Sequence, residues 1–239
     1  MIMSTYMKKA FFVFLDLDNT LMDFDKAERL SLSETLRSFG VEPEEAILRR
    51  YHEINIRHWE LLEDGVLSRE QILLRRFTTL FEELGLSCDG AAVNLDYEGR
   101  LSRACWMIPG ARELLESLYG RYPLYIVSNG SAGVQDGRLA GADLARYFDG
   151  VFISERVGFD KPAREFFETC FAAVPGFDRR RALIVGDSLS SDIRGGQLAG
   201  VKTCWYNPQK KPGRKEIRPD YEISELSQLP PLLEELSAL

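Results

Sequence analysis

The sequence predicts an α/β protein, a parallel sheet covered by helices and carrying a small inserted helical bundle. Three observations lead there. The apolar runs Phe11–Leu15, Leu124–Val127, Val151–Ile153, Ala182–Val185 and Val201–Trp205 are near-continuous rather than alternating, as in strands buried on both faces. The later runs alternate with helical periodicity at Ala111–Tyr119, Ala132–Phe148, Ala163–Val174 and Asp192–Ala199, which is the pattern of βαβ units. Between Leu21 and about Trp106 such runs give way to helical spacing with many charges. Parallel crossovers are right-handed, so helices are expected on both faces of the sheet.

Taken in order, Phe11–Leu15 is the first strand and ends on Asp16 and Asp18. Four helices follow, near Asp25–Phe39, Pro43–Glu63, Ser68–Leu84 and Gly90–Cys105, separated by Gly40, Asp64-Gly65 and Gly85–Asp89. Short connections of this kind join antiparallel helices into a bundle. Ser68 and Gln71 have the spacing of a capping box. Pro109 suits the first turn of the helix that re-enters the main domain. The tail, Ser224–Leu239, reads as an amphipathic helix started or broken at Pro230-Pro231. The expected division is a discontinuous core of residues 1–21 and 107–239 with an inserted domain of residues 22–106.

With 239 residues, 45% of them hydrophobic and 28% charged, the chain has the composition of a soluble globular protein. A net charge of −7 argues against binding a nucleic acid duplex, which calls for a basic face. Cys88, Cys105, Cys170 and Cys204 lie far apart, so neither a zinc site nor a redox dithiol is expected. Residues Met1–Lys9 lack a long apolar core, and no stretch approaches the about 18 apolar residues of a membrane span. A cytoplasmic enzyme without a membrane partner is the expectation.

The polar residues that follow the apolar runs carry the chemistry. Asp16 and Asp18 follow the first, Ser128-Asn129-Gly130 the second, Lys161-Pro162 lies between the third and fourth, and Gly186-Asp187-Ser188 with Asp192 follows the fourth. By themselves, Asp16 and Asp18 could be ordinary turn or capping residues. Ligands of open α/β sheets, however, bind beyond the carboxyl ends of the strands. Carboxylates there can hold a hard divalent cation through oxygen, while Lys161 and Ser128 address an anion, so the natural joint ligand is a phosphate with magnesium.

Through Asp16-Leu17-Asp18-Asn19-Thr20, Ser128-Asn129-Gly130, Lys161-Pro162 and Gly186-Asp187-Ser188-x-x-x-Asp192, in that order, the chain resembles the haloacid dehalogenase-like superfamily of phosphohydrolases. The resemblance implies a Rossmann-like three-layer parallel-sheet core with an inserted small helical cap, and a magnesium cofactor. It implies that Asp16 is the nucleophile that forms an aspartyl-phosphate and that Asp18 is the general acid and base. Asp16, the carbonyl of Asp18 and Asp187 would hold magnesium, with Asp192 supporting it directly or through water. Ser128, the Asn129 amide and Lys161 would bind phosphoryl oxygens. Asp18 favours phosphatase chemistry, since the dehalogenases of the superfamily lack an acid two residues after the nucleophile.

A more local resemblance is to bacterial pyrimidine 5′-nucleotidases. It rests on Asn55-x-x-x-Trp59 with Asp64-Gly65, on Ile153-Ser154-Glu155-x-Val157-Gly158, and on Thr203-Cys204-Trp205-x-Asn207. It implies a nucleoside monophosphate as substrate, with Asn55 and Trp59 as candidate contacts. Phosphoglycolate, a sugar phosphate or another small ester are the alternatives.

Other readings stay open at this point. Trp59 could stack on a base or pack in the bundle. Asn55 shares its helical face. His52 and His58 read as surface or packing residues, Gly195-Gly196 as a close helix contact, and Lys210-Lys211 with Arg214 and Lys215 as a solvated basic loop. A phosphoryl-accepting signalling module is opposed by motif order, and a non-catalytic binding protein by the completeness of the polar set.

Overall fold

The computed structural model describes residues 11–238. The expectation for Met1–Lys9 lies outside the described residues. By contact the chain divides into two compact units. The first holds residues 11–23, Met107–Ala132 and Ala142 onward, and the second holds Phe24–Trp106 with Gly133–Gly141.

The first unit is built on a six-stranded sheet. In chain order its strands are β1 (Phe12–Leu15), β2 (Leu124–Ser128), β3 (Gly150–Ile153), β4 (Ala182–Gly186), β5 (Lys202–Tyr206) and β6 (Tyr221–Ile223). Their spatial order is β3-β2-β1-β4-β5-β6, and every pairing is parallel. The chain works outward from β1 in one direction, then returns to lay β4 on its other side. This is the switch point at which open α/β sheets bind ligands. Here β1 pairs in register with β4 from Phe12↔Ala182 to Leu15↔Val185.

Full burial explains the apolar runs, since all four residues of β1 and all five of β2 and of β4 are buried. On one face, Phe12 and Phe14 pack with Phe166, Phe167, Phe171 and Ile184. The ring of Phe14 stacks on Tyr125 at 5.1 Å and meets Phe171 edge-on at 5.2 Å. Such geometries suit the ring quadrupoles.

The second unit contains α1 (Phe24–Ser38), α2 (Glu45–Glu63), α3 (Arg69–Glu83) and α4 (Gly90–Leu101). Both reciprocal bonds of the capping box at Ser68 and Gln71 are present. The bundle core gathers Leu32, Leu36, Tyr51, Ile54, Phe77, Leu80, Val93 and Tyr97.

The remaining helices are α5 (Ala111–Leu118), α6 (Ala132–Gly141), α7 (Ser154–Val157), α8 (Arg164–Ala172), α9 (Arg194–Leu198) and α10 (Leu229–Ala238). Several differ from the sequence expectation for local reasons. Gly110 occupies the N-cap of α5 at φ +82°, so Pro109 precedes the helix instead of opening it. The helix expected over Ala132–Phe148 stops at Gly141, and the chain passes through Asp143 at φ +53° into a 3₁₀ turn at Ala145–Tyr147. The segment expected to begin a helix at Asp192 starts earlier, as a wide π turn over Leu189–Ile193. Strand β6 was not anticipated. Gly195 and Gly196 do serve close packing: a Cβ on the first would lie 2.4 Å from Phe167, and on the second 2.6 Å from Thr203.

Candidate active site

Strand β1 delivers Asp16 to the middle of the sheet edge. Its amide donates to the Val185 carbonyl at 2.9 Å, so the backbone that carries the carboxylate is still tied to β4. The chain then turns sharply. Leu21 and Met22 donate to the Leu17 carbonyl at 2.9 and 2.8 Å, while Asn19, at φ +57°, donates to Met22 at 2.7 Å. Asn is among the residues that tolerate this left-handed conformation. The turn sets the half-buried Asp18 apart from Asp16 and brings the Thr20 hydroxyl to donate to Asp16 Oδ2 at 3.1 Å.

Lys161 reaches the same carboxylate from the segment before α8. Its ammonium donates to Asp16 Oδ1 at 2.7 Å, to Asp192 Oδ1 at 2.7 Å and to the Val127 carbonyl at 2.9 Å. All three N–H groups are thereby engaged. Asn129 fixes the lysine backbone, since its amide nitrogen donates to the Lys161 carbonyl at 2.9 Å and its amide oxygen accepts from the Lys161 N–H at 2.8 Å. Ser128 is buried at the end of β2, where its hydroxyl accepts from the Gly130 amide at 3.1 Å.

The turn after β4 supplies the remaining acids. Asp192 Oδ2 accepts from the Ser188 amide at 3.1 Å, so both of its oxygens are occupied. Its approach requires glycine at 186, where a Cβ would lie 2.1 Å from Asp192 Oδ2. The indole of Trp205 donates to the Asp187 carbonyl at 2.8 Å. Carboxylate oxygens of Asp16, Asp187 and Asp192 all lie within 4.8 Å of one another.

Crowding buried acids has an electrostatic consequence. Burial pushes the Asp16 carboxyl up to about 7, against the pull of Lys161 and with reinforcement from Asp192 and Asp18. Asp187 is also raised, by burial first and then by Asp16 and Asp192. Burial works against the charge of Lys161, but Asp16 and Asp192 hold its ammonium above the ordinary lysine range. Lys161 therefore stays charged, and the cluster retains more carboxylates than one ammonium can balance. Buried hard oxygens at this separation fit a divalent cation such as magnesium.

Every core residue singled out from the sequence thus sits at the carboxyl edge of the sheet. The sequence reading overlooked Thr20 and Trp205 as supports, although both lie inside the motifs. Lys161, expected both as a catalytic residue and as a phosphate ligand, also holds Asp16 and Asp192. A phosphoryl oxygen could bind the ammonium only by sharing or replacing one of its three acceptors.

The candidates in the second unit fare differently. Asn55 is 2% exposed; its nitrogen donates to Glu28 Oε1 at 2.6 Å and its oxygen accepts from Arg76 at 3.1 Å. Both ends of the amide are used inside the bundle, so it does not share an open face with Trp59. The half-buried Trp59 carries the Arg69 guanidinium 5.5 Å above its ring. His52 bonds Glu28 Oε2 at 2.6 Å, a partner the sequence did not reveal, and His58 bonds the Ile54 carbonyl at 2.8 Å.

With this geometry in hand, comparison with known proteins is decisive. Residues 13–206 match the haloacid dehalogenase-like hydrolase family. The chain is a haloacid dehalogenase-like hydrolase. Among relatives of this hydrolase, the pyrimidine 5′-nucleotidase PynA of Streptococcus pneumoniae is 38% identical over 89% of this chain and 90% of its own length. The pyrimidine 5′-nucleotidase YjjG of Escherichia coli is 31% identical over 92% and 96%. The magnesium-bound structure of the HAD-hydrolase YfnB of Bacillus subtilis, 38% identical, superposes with a TM-score of 0.90 over 95% of this chain and 99% of that one. L-2-haloacid dehalogenase of Xanthobacter autotrophicus, at 18% identity and a TM-score of 0.76, shares the fold.

Proposed function

We propose that this hydrolase is a magnesium-dependent phosphomonoesterase that acts through an aspartyl-phosphate, with pyrimidine nucleoside monophosphates as its preferred substrates. The observation that carries the reading is the placement of Asp16 at the end of the central strand, within 4.8 Å of Asp187 and Asp192 and 2.7 Å from the Lys161 ammonium.

In this reading Asp16 Oδ attacks phosphorus in line and the ester oxygen leaves. Asp18 gives that oxygen a proton and afterwards takes one from the water that opens the acyl phosphate. Lys161 favours the ionised form of Asp16 and fixes its rotamer, and Thr20 holds the other oxygen. Ser128 and the Asn129 amide receive the equatorial phosphoryl oxygens, whose charge they offset as the transition state develops. Asp16, the Asp18 carbonyl and Asp187 would hold magnesium. Asp192 would support it directly or through water. When bound, the cation supplies positive charge beside the nucleophile and the phosphoryl group.

The nucleotidase part of the proposal is supported by the two nucleotidase relatives, each matching over nearly its full length. Cytoplasmic location belongs to the same proposal and is supported by the buried free thiols of Cys170 and Cys204, the usual state in a reducing compartment. No helix among the described residues is long and apolar enough to cross a membrane.

The test is turnover of pyrimidine and purine monophosphates, sugar phosphates and phosphoglycolate with magnesium, compared by kcat/KM. Activity is expected to be highest for pyrimidine monophosphates and to vanish in chelator. Hydrolysis undiminished by chelator would overturn the metal-dependent mechanism. A higher kcat/KM for a sugar phosphate or phosphoglycolate would overturn the nucleotidase assignment.

A further inference from the structure

The segment between β5 and β6 carries Lys210, Lys211, Arg214, Lys215 and Arg218 against a single acid, Glu216, between positions 207 and 218, in a chain of net charge −7. A run of this composition is ordinarily a solvated loop. Here it is fastened at its base, along its length and at its end.

At the base, Asn207 is 2% exposed. Its amide oxygen accepts from the Lys211 N–H at 2.9 Å, and its amide nitrogen donates to the Lys211 carbonyl at 3.0 Å and to Glu222 at 2.8 Å. Lys210 takes the left-handed conformation, φ +52°, that closes this tight turn. Further along, Arg214 bridges to Ile217. Ile217 packs on Leu189, Ile193 and Trp205, so it rests on the π turn that bears Asp192 and on the indole that holds Asp187. The Arg218 carbonyl accepts from Gln197. At the end, Asp220 accepts from the Thr203 amide at 2.8 Å and from the Thr203 hydroxyl at 2.9 Å. Strand β5 ends at Tyr206 and pairs Trp205 with Gly186, so Asn207 and the turn it fastens leave the sheet at the same carboxyl edge as Asp187.

We propose that the Asn207–Asp220 loop is an anion-recruiting arm of the active site, in which Lys211 attracts the dianionic phosphate of the incoming ester before it reaches Asp16. The need for such a device is electrostatic. Lys161 and a bound magnesium would offset Asp16, Asp187 and Asp192, but the chain as a whole carries a net charge of −7, so a dianion approaching from solvent meets a repulsive field. Fixed cations at the rim of a cleft reverse that field locally and raise the rate of productive encounter. Because the arm is exposed, its action is screened over a Debye length of about 8–10 Å near physiological salt. It therefore raises capture and leaves the chemical step alone.

The inference rests on the phosphatase reading, and the experiment separates the two. Lys211→Glu is compared with Arg180→Glu, an equal change of charge at an 89% exposed side chain just before β4, at the opposite edge of the sheet. With magnesium fixed, Lys211→Glu is expected to lower kcat/KM for a phosphate monoester about fivefold at low salt through a higher KM, with kcat changing less than about twofold. The deficit is expected to shrink as potassium chloride is raised toward about 0.5 M. Arg180→Glu is expected to match the native chain, and Lys211→Arg to retain its kinetics. Equal losses in Lys211→Glu and Arg180→Glu, a loss confined to kcat, a loss indifferent to salt, or no loss at all would each overturn the proposal. Should the native chain turn over no ester, the phosphatase reading fails by itself. The arm is then judged by inorganic phosphate binding in calorimetry, which Lys211→Glu is expected to weaken; unchanged binding would overturn it.

Discussion

Lys161 Nζ lies 2.7 Å from Asp16 Oδ1, a contact between residues 145 positions apart, and the same ammonium lies 2.7 Å from Asp192 Oδ1. All three side chains are buried. Such a cluster is satisfied while complete and costly when one member is lost. Lys161→Met keeps the length of the side chain but strands two carboxylates, and loss of one partner from a buried ion pair costs about 3–5 kcal/mol. Chemical denaturation near pH 8 is expected to show that loss, and turnover is expected to vanish. The penalty should be smaller near pH 5, where protonation can neutralise the stranded acids. A variant within about 1 kcal/mol of the native chain at both pH values would contradict the account.

Asp16 and Asp18 differ in what they do, and leaving-group chemistry separates them. Asp16→Asn is expected to fold and to abolish turnover, because an amide cannot supply the nucleophile. Asp18→Ala is expected to retain more activity toward a phenolic phosphate, whose oxygen leaves with little protonation, than toward an alkyl phosphate. Equal losses on both esters would remove Asp18 from the proton-transfer role.

Gly186 is held to glycine by the approach of Asp192. A methyl group there would meet Asp192 Oδ2 at 2.1 Å and its Cγ at 2.2 Å, displacing the acid from Lys161 and from the Ser188 amide. Gly186→Ala is expected to cost about 1–3 kcal/mol, the usual range for forced overpacking, together with most of the activity. Native-like melting and turnover would show that the turn after β4 can yield.

How much of this was legible before the fold was known depended on the range of the interaction. Asp16, Ser128 and Asp187 could be assigned to one edge because each follows a buried apolar run, and parallel strands put such ends together. The three acceptors of Lys161 could not be read, since their meeting depends on β2, β1 and the turn after β4 arriving at one place. Strand β6 was hidden for a similar reason: Tyr221–Ile223 is three residues long with Glu222 exposed, and only its pairing with β5 makes it a strand. The basic loop is solvated as expected, exposed from position 208 to 216, while nothing local to Ile217 announces its contact with Trp205. Glu28 sits in a charged helical stretch, and its burial against Asn55 and His52 is a property of the bundle.

That last pairing gives a pH dependence. The hydrogen bond to Glu28 raises the pKa of His52 above its ordinary 6.5, partial burial opposes it, and Asp25 and Glu53 add to the rise. A histidine whose folded pKa exceeds its unfolded value contributes stability that is fully present below about 6.5 and is lost as pH climbs through the folded value. The chain has two histidines, so a His58→Gln background leaves one imidazole to follow by NMR. His52 is expected to titrate above 6.5, and His52→Gln to flatten the stability profile above about pH 6.5. Titration at or below 6.5 would show that the Glu28 contact does not persist in solution.

The final prediction separates two residues that share a helix spacing and little else. Asn55 satisfies Glu28 and Arg76 inside the bundle. Asn55→Ala would leave a buried carboxylate and a buried guanidinium each short of a partner, at a cost of about 1–3 kcal/mol. That loss concerns folding, so kcat/KM for a pyrimidine monophosphate and for a small generic ester should move together, if at all. Trp59 is half-buried, with the Arg69 guanidinium over its ring. If it contacts the base, Trp59→Ala should weaken kcat/KM for the pyrimidine monophosphate by about 1–3 kcal/mol, the range measured for base stacking. The generic ester should be nearly unaffected. Parallel losses in Trp59→Ala would assign that ring to packing, and a nucleotide-selective loss in Asn55→Ala would return the amide to substrate recognition.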